Sequence, residues 1–119
     1  MRVIRSDPQL DKGWFAGPWN SDLTVSIGYA NRGIDELHFH NQITEIYLVA
    51  RGICQMRVEQ VTIELSPGDM VIIKPGEAHT FLSSSPGYFH FVVHLDGVAG
   101  EAAGLEKIAV SKQRLGLMS

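Results

Sequence analysis

Residues 61–79 read VTIELSPGDMVIIKPGEAH, and this stretch decides the fold class of the 119-residue chain. Two runs rich in β-branched residues, Val61–Leu65 and Met70–Ile73, are separated by Ser66–Asp69 and followed by Lys74–Gly76. Proline and glycine placed in this way mark tight turns, and apolar runs of such short length are typical of strands. The stretch therefore predicts consecutive short strands in an all-β protein.

The same pattern continues on both sides of this stretch. Further strands are predicted where apolar and polar residues alternate, or where β-branched and aromatic residues predominate. They cover Asp22–Tyr29, Glu45–Ala50, Ile53–Val58, His79–Ser83 and Tyr88–Leu95. Many short strands joined by turns favour a sandwich or barrel, and a double-sheet jelly roll leaves few strand edges exposed. Residues 99–107 are expected to form a helical or irregular excursion, before an edge strand over residues 108–114.

Length and composition indicate one domain over residues 1–119. The formal net charge of -3 and the pI near 5.9 give no basic surface for nucleic acid. No apolar run has the length of a membrane-spanning helix, and the N-terminal residues lack the apolar stretch of a signal peptide. The single cysteine, Cys54, is expected to be a small buried apolar residue, and its lack of a disulfide partner fits the reducing cytoplasm.

Candidate metal ligands lie near the middle of the chain. His38 and His40 are two residues apart, so an extended strand places both imidazoles on one face. Glu45 lies an odd number of residues further on and joins that face only if the polar segment Asn41–Thr44 bends the chain. His79, which follows a Pro-Gly turn, would complete a set of three imidazoles and one carboxylate, which suits divalent transition metals. By itself, however, a His-x-His pair is weak evidence, since such histidines are usually surface or hydrogen-bonded residues.

The frame around these residues raises the strength of the metal prediction, because it resembles the two motifs of the cupin superfamily. The first motif covers residues 33–52 and runs from Gly33 to Gly52. The second covers residues 68–83 and contains the turn Pro75-Gly76 before His79. Three positions in turns and in the pocket depart from the family pattern, but none of them is a candidate ligand.

The resemblance implies a cupin-type double-stranded β-helix, or jelly-roll barrel, that forms a homodimer. It also implies one divalent transition metal per subunit, Fe, Mn, Ni or Zn, bound by His38, His40, Glu45 and His79.

Strand alternation predicts which side chains share the interior with these ligands. If Glu45 faces inward, so does Tyr47, and if His79 faces inward, so do Phe81 and Ser83. Tyr47 is therefore a candidate catalytic residue together with Glu45, which would serve as both ligand and proton acceptor. An equally good interpretation of Tyr47 is a core aromatic residue whose hydroxyl binds the backbone.

The last predicted strand, Tyr88–Leu95, has two different faces. One bears His90, Val92 and His94 and the other is apolar, so the apolar face is expected to pack in a core or subunit interface. His90 and His94 are then expected to face solvent or form hydrogen bonds rather than bind metal. The aromatic cluster that contains Trp14 and Trp19 could cap the barrel mouth, mediate dimerisation or pack in the core.

Three functions remain open at this point. The first is an enzyme of dioxygenase or Lewis-acid type, an isomerase or decarboxylase, that acts on a small anionic or enolisable substrate. The second is a metal-containing module that binds or senses a sugar or acid without turnover. The third, a structural zinc site, is weakest because such sites favour closed sets richer in cysteine.

Overall fold

The computed structural model describes residues 1–95 and 106–117, which fold into two antiparallel β-sheets. The strands in this part of the chain are β1 (Lys12–Ala16), β2 (Ser26–Ala30), β3 (His38–His40), β4 (Glu45–Arg51), β5 (Cys54–Val58), β6 (Val61–Leu65), β7 (Met70–Ile73), β8 (His79–Ser84), β9 (Phe89–His94) and β10 (Lys107–Ala109). The all-β, two-sheet architecture predicted from the sequence is confirmed.

The order of strands in each sheet brings distant segments together. One sheet has the order β1-β2-β9-β4-β7 and the other β10-β3-β8-β5-β6. In the second sheet His38 pairs directly with His79, and in the first Glu45 pairs directly with His94. Side chains at directly paired positions lie on the same face of a sheet, so each pair of residues points to the same side.

The core lies between the inner faces of the two sheets. Its largest cluster contains Tyr47, Val49, Cys54, Met56, Leu65, Ile73, Phe81, Tyr88 and Val92. Cys54 is only 1% exposed, as expected for a small buried residue, and burial raises the pKa of its thiol. Within the described part of the chain no helix is long and apolar enough to cross a membrane.

Most predicted strands agree with the structure to within one residue, but Asp22–Tyr29 does not. The observed strand β2 begins only at Ser26. Before it, the Ser21 hydroxyl donates to the Gly17 carbonyl and accepts from the backbone N–H of Leu23, which holds this segment in a turn. Local side-chain hydrogen bonds thus compete with the strand that the alternating pattern predicts.

For β9, the hydrogen-bonded alternative for His90 and His94 agrees with the structure, whereas a solvent-facing position for them and a core position for the opposite apolar face do not. His90, Val92 and His94 are the buried face, whereas Phe89, Phe91 and Val93 are half-buried. The half-buried face is covered by other aromatic rings: Tyr29 stacks on Phe89 with centroids 5.9 Å apart, and Phe15 stacks on Phe91 at 6.2 Å. The interior is lined in part by histidines, so an apolar face does not identify the inside of this sandwich.

Ser83 was also misplaced by simple alternation. It is exposed, although His79 and Phe81 on the same strand are buried. The pairing between β5 and β8 shifts between Gln55 and Met56, which oppose Ser83 and Phe81. A bulge of this kind puts an extra residue into β8 and reverses the alternation beyond it.

The first and last strands each lie at the edge of a sheet. Strand β1, which was not predicted, contains Trp14 and pairs with β2. The expected edge strand over residues 108–114 is present as the shorter β10, which pairs with β3. The excursion expected over residues 99–107 lies mostly outside the described residues, and Lys107 at its end belongs to β10.

Candidate functional site

The bend that Glu45 needs is built by the segment between β3 and β4. Its backbone is held by Glu106: the N–H groups of Gln42 and Ile43 donate to the Glu106 carboxylate, and that of Asn41 donates to its carbonyl. Ile43 is buried beneath the bend. The segment therefore turns while the N–H groups of Asn41, Gln42 and Ile43 stay paired, and Glu45 returns to the face of His38 and His40.

Glu45 lies at the centre of a cluster of histidines and is almost completely buried, at 4% exposure. Its Oε1 lies 2.8 Å from Nε2 of His79. Its Oε2 lies 3.3 Å from Nε2 of His40 and 2.5 Å from Nε2 of His94. The carboxylate thus has one imidazole neighbour at Oε1 and two at Oε2.

The outer nitrogens of two of these histidines are already bonded to the backbone. Nδ1 of His38 lies 2.6 Å from the Glu36 carbonyl oxygen, and Nδ1 of His79 lies 2.9 Å from that of Glu77. Because a carbonyl can only accept, both Nδ1 atoms must carry the proton. Neutral His38 and His79 therefore have a free lone pair on Nε2, the tautomer that metal-binding histidines adopt.

His79 shows why a cation suits this cluster. With its proton on Nδ1, a neutral imidazole turns the Nε2 lone pair toward the lone pairs of Glu45 Oε1, 2.8 Å away. Two acceptors at this separation repel unless a proton or a metal ion lies between them. The donor set of the cluster therefore fits a cation. His40 differs, since its Nδ1 is buried with no hydrogen-bond partner among the described residues.

The charge states of the cluster follow from burial and from these contacts. Burial opposes ionisation of Glu45, but its contacts with the imidazoles of His40, His79 and His94 outweigh it and hold the pKa of the carboxyl well below its usual range. Burial, together with the neighbouring His79, lowers the pKa of His38 to about 4. At neutral pH the site thus combines an ionised carboxylate with an unprotonated His38.

The four residues predicted as metal ligands are brought together. His38, Glu45 and His79 form one group whose potential ligand atoms lie within 4.8 Å of one another, and His40, Glu45 and His94 form a second. For His94 the hydrogen-bonded alternative agrees with the structure, but its place beside Glu45 was not predicted, because strand alternation does not show which residue lies across the sheet.

Tyr47 faces inward, as strand alternation predicts, and contacts the cluster. Its ring lies 6.1 Å from that of His79 and 5.0 Å from that of Phe81. Burial and the adjacent Glu45, to which its hydroxyl is hydrogen-bonded, raise the pKa of Tyr47 well above its usual value. The hydroxyl therefore stays protonated.

A second buried polar group lies further along β9. The Tyr88 hydroxyl is 2.7 Å from Nδ1 of His90, whose ring stacks on Phe81 at 5.0 Å. Burial lowers the pKa of His90 to about 4, so this imidazole is neutral at pH 7. His90 is separated from the Glu45 cluster by Tyr47, against which its ring packs at 5.0 Å.

A cavity of about 340 Å³ opens onto the cluster. This volume is within the range of small-molecule pockets. Its walls are largely apolar and include Trp14, Ile34, Phe81 and Val92.

Charged residues surround the exposed end of the cavity. There Lys12 lies 2.6 Å from Glu36, and Lys107 binds the other oxygen of the same carboxylate. Although partial burial raises the pKa of Glu36, the two lysines lower it to about 2.

The aromatic residues near the N terminus have separate positions. The Trp14 ring packs on His94 with centroids 4.3 Å apart, so it belongs to the wall of the cavity. Trp19 is 52% exposed and covers Gly17, where an added β-carbon would lie 2.1 Å from its ring. Within this aromatic cluster, Trp14 lies at the cavity and Trp19 lies at the surface.

Comparison with known proteins identifies the family and the fold. A family model described as the AraC-like ligand binding domain matches residues 23–114. No curated protein sequence matches the chain significantly.

Solved structures with the same fold come from proteins of low sequence identity. A variant of Streptomyces PAC13 with uridine is 11% identical, with a TM-score of 0.65, over 92% of this chain and 84% of that one. A variant of Bacillus subtilis oxalate decarboxylase OxdC is 18% identical, with a TM-score of 0.65, over 91% of this chain but 30% of that one. A cupin 2 conserved barrel domain protein from Salinispora arenicola is 15% identical, with a TM-score of 0.59, over 79% of this chain and 82% of that one. At these identities the likeness shows the fold, and the predicted cupin barrel is confirmed.

Proposed function

This chain belongs to the family of AraC-like ligand binding domains, and we propose that it is a metal-dependent cupin that binds a small anionic or enolisable molecule. The proposed ligands of one divalent transition metal, Fe, Mn, Ni or Zn, are His38, His40, Glu45 and His79. The proposed activity is that of an enzyme, either of Lewis-acid type, as in isomerases and decarboxylases, or of dioxygenase type.

The observation that carries the metal assignment is the environment of His79. Its Nδ1 proton is bound to the Glu77 carbonyl, so in the neutral ring Nε2 faces Glu45 as an acceptor facing an acceptor, a contact that a metal ion between the two atoms makes favourable. His38 repeats the arrangement through the Glu36 carbonyl. Mixed imidazole and carboxylate donors of this kind suit divalent transition metals better than Mg or Ca.

The charge of the site supports an anionic ligand. A divalent ion bound by three neutral imidazoles and one carboxylate keeps a formal charge of about +1, which favours an anion in an open coordination position. At the exposed end of the cavity, Lys12 and Lys107 accompany the single carboxylate of Glu36. Two ammonium groups against one carboxylate leave a positive excess along the entry path of an anion.

The walls of the cavity restrict the rest of the ligand. Trp14, Ile34, Phe81 and Val92 offer apolar contact beside the polar cluster. A ligand with a carboxylate or enolate at one end and an apolar body at the other would satisfy both surfaces. Small carboxylates and diketones are therefore the first compounds to test.

The residues of the chain have separate roles in the proposed reaction. When bound, a divalent cation supplies Lewis-acid polarisation of a coordinated oxygen or, if redox-active, an open position for dioxygen. Glu45 is proposed as a ligand and a proton acceptor, since it is ionised and buried. Tyr47 is proposed as the hydrogen-bond donor to the bound molecule, toward which its single proton would turn from Glu45.

The test begins with elemental analysis of protein purified without added metal. We expect a redox-active or Lewis-acidic metal to co-purify, and small carboxylates or diketones to change the absorption spectrum of the Co(II)- or Fe(II)-loaded protein. Oxygen consumption then separates dioxygenase from Lewis-acid chemistry. A protein that binds no metal, or a loaded protein whose spectrum no such compound changes, would contradict the proposal.

A second candidate is a ligand sensor without turnover, and the family itself favours it. The matching model describes a ligand binding domain and covers residues 23–114. In this case the bound molecule should raise the midpoint of thermal unfolding while no product forms. Turnover in the presence of the identified metal would exclude the sensor as the full function.

A further inference from the structure

His94 lies beside Glu45 but outside the two sequence motifs that contain the proposed ligands. We infer that it is a positioning residue: its Nε2–H donates to Oε2 of Glu45 and so turns Oε1 toward the side of His38 and His79. The inference rests on the proposed metal site, because it assigns a role within that site. His94 is 1% exposed, and its Nε2 lies 2.5 Å from Oε2.

Distances separate this role from that of a ligand. Donor atoms on adjacent positions of an octahedral ion with bonds of about 2.1 Å lie roughly 3 Å apart, and those of a tetrahedral ion slightly further apart. Glu45 Oε1 lies 2.8 Å from His79 Nε2, and Glu45 Oε2 lies 3.3 Å from His40 Nε2; each separation fits a carboxylate oxygen and an imidazole nitrogen bound to one ion. The 2.5 Å contact of His94 is shorter than either separation, as expected of a direct N–H···O contact rather than of two ligands of one ion.

The chain holds the His94 ring in this orientation by packing. Strands β4 and β9 pair Glu45 directly with His94, so both side chains start from the same face of the sheet. On the other side the Trp14 ring lies against the imidazole, with centroids 4.3 Å apart at an interplanar angle of 56°. The ring is therefore confined between the carboxylate and the indole.

Gly28 provides the space that Trp14 occupies. Trp14 pairs with Gly28 across β1 and β2, and Gly28 pairs with Val92 of β9. A β-carbon on Gly28 would lie 2.9 Å from the Gly13 carbonyl oxygen and 3.0 Å from both the Trp14 ring and Val92. A side chain here would force the indole or the neighbouring strands to shift from the position that brings Trp14 against the His94 ring.

A positioning role predicts a specific response to substitution. Removal of the N–H donor leaves Oε2 without its shortest contact, and loss of such an outer partner typically weakens metal binding about 10–100-fold. Glutamine places an amide N–H near the position of Nε2 but cannot replace an imidazole as a metal ligand. His94→Gln should therefore keep the metal affinity that His94→Leu loses.

The experiment measures Co(II) affinity by competition with a chelator, together with the visible spectrum of the Co(II) protein. Wild type, His94→Gln, His94→Leu and the control His90→Leu are compared. The control removes a buried histidine from the same strand, one that lies outside the Glu45 cluster. We expect His94→Leu to bind Co(II) about 10–100-fold more weakly. The other two variants should keep affinity near that of wild type, and His94→Gln should keep the wild-type spectrum.

Three results would overturn the inference, and they differ in what else they affect. If His94→Gln binds as weakly as His94→Leu and has an altered Co(II) spectrum, His94 is a ligand. If His94→Leu binds as tightly as wild type, His94 has only a packing role. In both cases the proposed metal site stands. If wild type binds no Co(II), the proposed function fails and this inference fails with it.

Discussion

At the scale of single residues, His79 is the most constrained group of the site. Its two ring nitrogens face a backbone carbonyl and a carboxylate, which are both acceptors. A neutral imidazole can donate to only one of them, so the other contact is favourable only when a cation lies there. This makes His79 the most direct test of the metal proposal.

Replacement of His79 or His40 by alanine should remove most of the bound metal, because each substitution removes an imidazole ligand that water replaces imperfectly. The measurement is metal content per chain after purification under limiting metal. Leu82→Ala is the matched control, since Leu82 lies on the same strand as His79 but is 41% exposed. Full metal content in both histidine variants would contradict the ligand assignment.

Tyr47→Phe should leave metal content unchanged and weaken ligand binding or turnover. Loss of one neutral hydrogen bond corresponds to about 0.5–1.5 kcal/mol. Calorimetric titration of the metal-loaded protein with a bound carboxylate gives the difference. A variant that loses its metal instead would show that the hydroxyl acts mainly through Glu45, to which it is bonded.

His90 should make the metal-free protein less stable as the pH falls from about 6.5 to about 4. Burial lowers the pKa of His90 to about 4 from 6.5, so in this window the unfolded chain binds a proton that the folded chain does not. The loss of stability reaches about 3 kcal/mol when the window has been crossed.

The measurement is urea unfolding of the metal-free protein at several pH values, for wild type and His90→Gln. Glutamine does not titrate, and its carbonyl can still accept from the Tyr88 hydroxyl. The free energy of unfolding of His90→Gln should fall less between pH 7 and pH 4.5 than that of wild type. Equal pH dependence in the two proteins would rule out His90 as the source.

At the scale of elements, strand alternation predicts the buried side chains correctly in some strands but not in others. It correctly places Glu45 and Tyr47 on one face of β4. In β8 a bulge reverses it beyond Phe81, and in β9 it separates two faces without showing which is inside. The position of a strand in the sheet, rather than its own sequence, decides these cases.

Gly28→Ala tests the packing of β1 on β2. The added β-carbon would lie 2.9 Å from a backbone oxygen and 3.0 Å from the Trp14 ring, so the strands must move apart. Such overpacking costs about 1–3 kcal/mol of unfolding free energy, measured by chemical denaturation followed by tryptophan fluorescence. Thr24→Ala, at an exposed position just before β2, should change stability little. Equal stability of the two variants would show that β1 adapts without cost.

At the scale of the whole molecule, the outer face of the first sheet is the notable surface. Leu48 on β4 and its neighbours Met70 and Ile72 on the edge strand β7 are exposed by 37%, 53% and 53%. Adjacent exposed apolar side chains on an edge are commonly covered by another chain. We propose that a second copy of this chain covers them in a symmetric homodimer, since one such patch can pair with itself.

Light scattering after size exclusion tests the dimer. We expect about twice the chain mass of 13.1 kDa for wild type. Ile72→Glu should give a monomer, because it places a charge in the proposed interface. Val61→Glu, at an exposed position on β6 of the other sheet, should stay dimeric. A wild-type monomer at all concentrations would contradict the proposal.

The sequence by itself determined the features that depend on neighbours along the chain. Turn residues and β-branched runs predicted most strand positions, and the two-residue spacing of His38 and His40 placed both imidazoles on one face. The bend at residues 41–44 followed from the odd spacing between His40 and Glu45. The turn at Gly76, with φ of 86°, followed from its Pro-Gly sequence. Each of these depends on backbone geometry over a few residues.

Only the tertiary structure decided which faces became the interior. Glu45 and His94 are 49 residues apart, and no local pattern records that they pair across β4 and β9. The usual rule that the apolar face is buried fails in β9, because the cavity is lined by histidines that Glu45 and Tyr88 satisfy with hydrogen bonds. Burial of a polar group depends on partners that folding supplies, so the role of His94 and its contact with Trp14 could be seen only in the folded chain.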